Sequence, residues 1–221
     1  MKIKKIKAVL FDMDGTLMNT LDDLTDSTNH ILEMNNFPKR TKDEVRSFVG
    51  HGIKWTIEKA VPANTSEKII EKCYKEMLVY YKEHSMIKTA PYEGVKELME
   101  KLHMEGYKIA IITNKAEDSA KIITDKFFGN IVDFTIGDNG KTPLKPSPDN
   151  IDRALKNLNI TKEEAVYIGD SEVDVLTGKN SNMEMIGVLW GFRDKEVLIK
   201  HGAKLFAENT IELEREIKKL G

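Results

Sequence analysis

The sequence predicts an α/β protein with a doubly wound parallel (Rossmann-like) sheet and an inserted all-helical cap subdomain. Short apolar runs typical of buried strands alternate with amphipathic helical segments over most of the chain. The exception is a stretch with only helical patterns, which lies between the first predicted strand and the second. We therefore predict an α/β core formed by residues 1–17 and 89–221. Residues 18–88 are predicted to form the inserted subdomain, mounted on the ligand-binding edge of the sheet.

The first part of the chain predicts one strand followed by four helices. The strand is the apolar, β-branched run from Ile6 to Phe11, which ends at Asp12. Thr41 and Glu44 form a capping box, which predicts the start of the second helix. The run Gly50-His51-Gly52 separates this helix from the third. The other three helices are predicted at residues 20–35, 53–60 and 66–84.

After Pro91 the pattern changes to alternating strands and helices, which predicts a parallel sheet. Ser147 and Pro148 resemble an N-cap followed by proline at the first helical position, and a helix is predicted behind them. Strands are predicted at residues 107–112, 131–136, 165–168, 185–189 and 205–206. The remaining helices are predicted at residues 94–104, 118–127, 173–180, 195–201 and 210–220.

Composition excludes several classes of protein. The 221 residues contain 34 Lys and Arg against 36 Asp and Glu, so the net charge of -2 lacks the basic excess typical of nucleic-acid binders. A single cysteine, Cys73, excludes an internal disulfide and a multi-cysteine metal site. Apolar runs are too short for a signal peptide or a membrane span. We therefore predict a cytoplasmic monomer or homodimer with no nucleic-acid or membrane partner.

Polar side chains follow the predicted strands, where a parallel sheet binds its ligands. These segments are Asp12-Met-Asp-Gly-Thr16, Thr113-Asn114-Lys115, Lys145-Pro146 and Gly169-Asp170-Ser-Glu-Val-Asp174. Carboxylates crowded at one edge suit Mg²⁺, and a lysine with nearby donors suits a phosphate group. One further aspartate could attack phosphorus while another acts as general acid and base. The set predicts Mg²⁺-assisted phosphoryl transfer through a covalent intermediate, with a small phosphorylated metabolite as the substrate.

These four segments, in this order, resemble the four motifs of the haloacid dehalogenase (HAD) superfamily. The position of the helical insert is similar to the subclass with a helical cap. The resemblance implies that Asp12 is the nucleophile and a Mg²⁺ ligand. It implies that Asp14 is the general acid and base and gives its backbone carbonyl to the metal, with Gly15 and Thr16 supporting that loop.

The remaining motifs carry further implied roles. Thr113 and the backbone N–H of Asn114 would hold the phosphate, and Lys145 would neutralise charge between the phosphate and the nucleophile. Asp170 would bind Mg²⁺ directly. Asp174 would act around the metal by holding a bound water or Lys145.

Two stretches of the predicted cap resemble one particular family among the capped phosphatases. The stretches Asp22-Asp23-Leu24 and Val45-Arg46-Ser-Phe-Val-Gly50-His51-Gly52 resemble the phosphoglycolate phosphatase family. This implies that Arg46, Gly50 and His51 contact the substrate, although Arg46 could equally pair with Asp43. The related pyrophosphatases share much of the pattern, and sugar phosphates and nucleotides remain open as substrates. A receiver-like phospho-aspartate signalling module is the alternative from another class.

Overall fold

A computed structural model describes residues 5–221 of the chain, so residues 1–4 of the predicted core range lie outside the described residues. Its main sheet contains six strands: β1 (Ala8–Phe11), β4 (Lys108–Ala116), β5 (Phe134–Asp138), β6 (Ala165–Gly169), β7 (Glu184–Val188) and β8 (Leu205–Ala207). The strand order is β5-β4-β1-β6-β7-β8, and every neighbouring pair is parallel. The predicted parallel sheet is confirmed, with β1 at its centre.

Six helices cover the two faces of this sheet. They are α5 (Val95–Met104), α6 (Glu117–Phe127), α7 (Asp149–Leu158), α8 (Glu172–Ser181), α9 (Lys195–His201) and α10 (Thr210–Lys219). Because side chains alternate along a strand, Val9 and Phe11 pack on one face with α5, α6 and α10. Ala8 and Leu10 pack on the other face with α7, α8 and α9. Two hydrophobic layers thus enclose the sheet, as a doubly wound fold requires.

The inserted segment forms four helices with a core of its own. These are α1 (Leu21–Met34), α2 (Lys42–Phe48), α3 (Ile53–Ala60) and α4 (Glu67–His84). Their apolar faces enclose a third cluster that includes Leu32, Ile57 and Met77. Among residues 5–221, no helix combines the length and the apolar character needed to cross a membrane.

Two differences from the predicted elements have simple physical causes. A two-stranded antiparallel ribbon, β2 (Met18–Asn19) with β3 (Ala90–Pro91), joins the four helices to the core. Strands of two residues are too short to show an alternating pattern, so no sequence pattern indicated them. The strand predicted from residue 131 begins at Phe134 instead, because residues 129–131 form a short 3-10 helix. The exact division at residues 17/18 and 88/89 stays a prediction.

Asp23 fastens the returning chain to the first helix of the insert. Its buried carboxylate accepts hydrogen bonds from the backbone N–H groups of Ile87, Lys88 and Thr89, at 2.9–3.0 Å. These donors lie just before β3, where the chain re-enters the core. The sequence singled out this aspartate only as part of a family-like stretch, and the structure gives it a structural role.

We expect Asp23→Asn to lower the free energy of unfolding by about 1–3 kcal/mol. An amide offers one acceptor oxygen, and its NH₂ group would face the same N–H donors. Urea denaturation followed by circular dichroism measures the change. The matched control is Asp22→Asn, one residue earlier in the same helix, where a half-exposed carboxylate pairs with Lys42 at 2.7 Å. That change should stay within about 1 kcal/mol, and equal losses in both variants would contradict the role of Asp23.

Candidate active site

The carboxyl ends of the three central strands bring the predicted motifs together. Asp12 directly follows β1, and its backbone N–H donates to the carbonyl of Ile168 on β6 at 2.9 Å. Thr113, Asn114 and Lys115 lie near the C-terminal end of β4, which extends beyond its predicted end at residue 112. The loops that carry Lys145 and Asp170 meet the same edge, so all four motifs line one cavity.

Three aspartates form an acidic cluster at the centre of this edge. One carboxylate oxygen each from Asp12, Asp170 and Asp174 lies within 4.8 Å of the other two, and all three side chains are buried. Burial raises the pKa of Asp12 well above its usual range, and burial together with Asp174 raises the pKa of Asp170 to about 7. The cluster is therefore costly in its charged form without a cation. Its all-oxygen donor set fits Mg²⁺, which prefers one or two carboxylates with waters and phosphate oxygens.

Lys145 supplies the positive charge inside the cluster. Its Nζ lies 2.7 Å from Asp12 Oδ1 and 2.8 Å from Asp174 Oδ1, and its side chain is 2% exposed. Burial alone would lower the pKa of Lys145, but Asp12 and Asp174 raise it by more, so the ammonium stays charged. Burial likewise opposes the charged form of Asp174, but Lys145 lowers its pKa below the usual range. The lysine thus bridges the predicted nucleophile and the fourth motif.

Tyr167 completes this bridge and was missed by the sequence analysis. Its hydroxyl accepts from Lys145 Nζ at 3.0 Å and donates to Asp174 Oδ1 at 2.7 Å. Tyr167 lies within the short apolar run of β6, and such a run predicts a buried core residue at this position. A tyrosine among aliphatic strand residues was the available signal, since a buried hydroxyl usually has a partner.

Hydrogen bonds to both carboxylate oxygens hold Asp170 in place. Two nearby glycines leave the space that its side chain occupies. Thr16 Oγ1 donates to Asp170 Oδ1 at 2.8 Å, and the backbone N–H of Phe192 donates to Oδ2 at 2.8 Å. Gly15 has φ of 89°, and a Cβ there would overlap the carboxylate. A Cβ on Gly191 would overlap Asp170 as well, and the sequence analysis gave this glycine no role. The loop predicted to support the site therefore positions one of its acids.

Asn114 connects three segments around the cavity. Its side-chain amide donates to the carbonyls of Gly50 at 2.9 Å and Lys145 at 3.0 Å, and its Oδ1 accepts from the backbone N–H of Lys145 at 2.8 Å. Thr113 lines the cavity beside it, and its hydroxyl accepts from the backbone N–H of Lys115 at 3.2 Å. The second motif thus fixes both Lys145 and the loop of the cap that carries Gly50.

Arg46 lies between the cap and the core instead of in the cavity. Its Nε donates to the carbonyl of Phe192 at 2.7 Å, and its Nη2 donates to that of Gly191 at 3.3 Å. Arg193 makes the reciprocal contacts, donating to the carbonyls of Arg46 and Val49 at 2.7 Å. The carboxylate near Arg46 is that of Asp194, at 3.7 Å, and not that of Asp43.

The other two cap residues differ in position. Gly50 lines the central cavity, whereas His51 lines a neighbouring pocket. His51 Nε2 lies 3.8 Å from Glu172 Oε1, and its ring lies 5.0 Å from that of Trp55. The structure therefore brings the core motifs and Gly50 together but leaves Arg46 and His51 at the rim.

Lys115 is a buried cation to which the sequence analysis gave no role. Its side chain is 2% exposed, and its Nζ lies 3.2 Å from Asp14 Oδ1. It also donates to the hydroxyl of Tyr81, on α4, at 2.7 Å and lies over the tyrosine ring. Burial raises the pKa of Tyr81 to about 12, so the hydroxyl keeps its proton. A third polar residue after Thr113 and Asn114 was the signal available in the sequence.

The cavity has a polar floor and an apolar roof. Its floor contains the aspartates, both lysines and the second motif, while the cap contributes Leu24, Val49 and Ile53. Its volume is about 30 Å³, which holds only a few waters, so a phosphorylated substrate could enter only if the cap shifted. The residues at the strand ends suit a phosphate group, and the cap faces the rest of the substrate.

A parallel sheet in an α/β fold, with buried aspartates and lysines at the carboxyl ends of its strands, is typical of enzymes that act on phosphate groups. Comparison with known proteins shows which family of such enzymes this chain belongs to. The chain belongs to the haloacid dehalogenase-like hydrolases, whose family model matches residues 9–188. It is a phosphatase of this family, an enzyme that acts on phosphate esters. The family resemblance inferred from the four motifs is thereby confirmed.

Individual relatives cover nearly the whole chain. A phosphoglycolate phosphatase from Colwellia psychrerythraea is 30% identical, over 97% of this chain and 100% of its own. The pyrophosphatase PpaX from Listeria welshimeri is 33% identical over 95% of each chain. A crystal structure from Lactobacillus delbrueckii subsp. bulgaricus, described provisionally as a phosphoglycolate phosphatase, superposes with a TM-score of 0.92 at 30% identity, covering 97% of this chain and 99% of its own.

Proposed function

We propose that this protein is a Mg²⁺-dependent phosphomonoester hydrolase that works through an aspartyl-phosphate on Asp12. The observation that carries the proposal is the buried arrangement of Asp12 with Lys145 at 2.7 Å and with Asp170 and Asp174, beside Asp14 in the same cavity. A receiver-like switch is disfavoured, because the relatives named above are hydrolases and Asp14 offers a group for turnover.

The reaction proceeds in two steps. In the first, a carboxylate oxygen of Asp12 forms a bond to phosphorus, the bond to the leaving oxygen breaks, and Asp14 gives that oxygen its proton. In the second, Asp14 takes a proton from a water that attacks phosphorus, and the Asp12 carboxylate leaves. Asp14 is then protonated again, and inorganic phosphate is the second product.

The charges around the phosphoryl group explain why these residue types are needed. Lys145, the hydroxyl of Thr113 and the backbone N–H of Asn114 stabilise the negative charge that spreads over the phosphate oxygens. Mg²⁺, when held by Asp12, Asp170 and the backbone carbonyl of Asp14, would supply further charge neutralisation at those oxygens. Asp174 holds Lys145 in place and completes the acidic surroundings of the ion.

Phosphoglycolate is the first candidate substrate, and pyrophosphate is the second. Support comes from the phosphoglycolate phosphatase of Colwellia psychrerythraea and the PpaX pyrophosphatase of Listeria welshimeri, which are comparably similar to this chain. Gly50 lines the cavity and would contact the substrate, whereas Arg46 and His51 would reach it only in another position of the cap.

The experiment is phosphate release in the presence of Mg²⁺ from a panel of phosphoglycolate, pyrophosphate, sugar phosphates and nucleoside monophosphates. We expect phosphoglycolate to give the highest kcat/KM and EDTA to abolish release. Preference for another member of the panel would correct the substrate and leave the reaction class unchanged. Full turnover in EDTA would contradict the proposed role of the acidic cluster in binding a metal.

A further inference from the structure

Lys115 is a buried charged group that lines the site and that the proposed reaction does not use. It lies at the end of β4, one residue beyond the phosphate-binding pair Thr113 and Asn114, and it lines the same cavity. Burying a lysine is costly unless its charge is matched, and here the matching group is Asp14, at 3.2 Å. The pairing therefore joins an otherwise unexplained cation to the proposed general acid and base.

The Asp14 carboxylate has few other constraints. Asp170 and Asp174 are each held by several polar contacts, whereas Lys115 is the polar group that contacts the Asp14 side chain among residues 5–221. Asp14 is also the most exposed of the four aspartates at the site, with 16% of its side chain accessible. Without the lysine, its carboxylate would be free to rotate between staggered positions.

Tyr81 fixes the lysine in turn. Its hydroxyl accepts from Lys115 Nζ at 2.7 Å, and its ring centroid lies 4.4 Å from the same nitrogen. The tyrosine is 1% exposed and belongs to the hydrophobic cluster of the cap, so it is held rigidly by packing. Asp14, Lys115 and Tyr81 thus form a chain of contacts from the core to the packed interior of the cap.

We propose that Lys115 is the positioning residue of Asp14, holding its carboxyl group where it exchanges a proton with the leaving oxygen, and that Tyr81 positions Lys115. This inference rests on the proposed function, in which Asp14 protonates the leaving group. Proton transfer depends on geometry, because the acid must reach the leaving oxygen within hydrogen-bond distance. A displaced Asp14 would therefore slow the reaction without weakening phosphate binding.

The test compares two substrates whose leaving groups differ in basicity. An alkyl phosphate that the wild type hydrolyses needs a proton on its departing alkoxide, whereas p-nitrophenyl phosphate releases a stable phenolate that needs little help. For Lys115→Met we expect kcat on the alkyl phosphate to fall by about 10- to 100-fold, with KM changed by less than about threefold. On p-nitrophenyl phosphate kcat should fall by less than about threefold.

Three further variants separate positioning from folding. Tyr81→Phe keeps the ring but removes the hydroxyl, and it should give a smaller loss with the same dependence on the leaving group. Lys115→Arg should recover part of the alkyl phosphate activity. Lys121→Met removes an exposed lysine that pairs with Glu117 at 2.6 Å, and it should leave kcat unchanged on both substrates. Thermal unfolding confirms that each variant is folded.

Two results would overturn the inference. One is an equal loss on both substrates in Lys115→Met and Tyr81→Phe, which indicates general damage. The other is no loss on the alkyl phosphate in Lys115→Met. Failure of the proposed function looks different, because wild-type activity would then be absent or would persist when Asp12 is replaced.

Discussion

Asp12→Asn is expected to reduce phosphate release by at least about four orders of magnitude. An amide oxygen is a poor nucleophile, so the first step of the proposed reaction cannot occur. Asparagine has nearly the same shape, and it removes one of the buried negative charges that repel Asp170 and Asp174. We therefore expect the variant to stay folded and the loss of phosphate release to come from the missing nucleophile.

The measurement combines steady-state kinetics with acid quenching. The wild type quenched during turnover should carry a phosphoryl group that hydroxylamine releases, as expected for an acyl phosphate, and Asp12→Asn should carry none. Asp118→Asn, at an exposed position in the first turn of α6, serves as the matched control and should keep full activity. Activity of the Asp12 variant within tenfold of the wild type would exclude Asp12 as the nucleophile.

Lys145→Met is expected to affect stability and activity together. The change leaves Asp12 and Asp174 buried without the ammonium that lies 2.7 and 2.8 Å from them. Removing one partner of a buried charge pair costs about 3–5 kcal/mol of unfolding free energy. The loss of charge stabilisation at the phosphoryl group should lower kcat by about 10²- to 10³-fold.

Urea denaturation and phosphate release measure the two effects in the same preparation. Lys141→Met, an exposed position on the loop that leads to Lys145, is the matched control and should change stability by less than about 0.5 kcal/mol. A loss below about 1 kcal/mol in Lys145→Met would show that the acidic cluster does not depend on this cation for its stability.

The core of the fold and site could be predicted because their signals are local in the sequence. A buried parallel strand is a continuous apolar run, and the residues that follow it must lie at the ligand-binding edge. Asp12 and Asp170 follow such runs on adjacent strands, so chain order alone brings them close together. The predicted sheet and the family were confirmed on these grounds.

The positions that sequence reasoning missed depend on contacts between distant segments. Arg46 contacts Phe192 across 146 residues of chain, and whether an arginine faces a substrate or a carbonyl is decided by how the cap is seated. Lys115 and Tyr81 come together in the same way, from β4 and α4. Neither contact leaves a periodic or motif-like trace, because each is set by packing between the two parts of the molecule.

The close approach of glycines to the acidic cluster limits how this site can vary. A Cβ on Gly15 or Gly191 would overlap Asp170, and a Cβ on Gly169 would overlap Asp174. Even alanine at any of the three would therefore displace an acid. Substitutions here are constrained by the space that two carboxylates occupy. A glutamate at position 169 could be accommodated only if Asp174 moved.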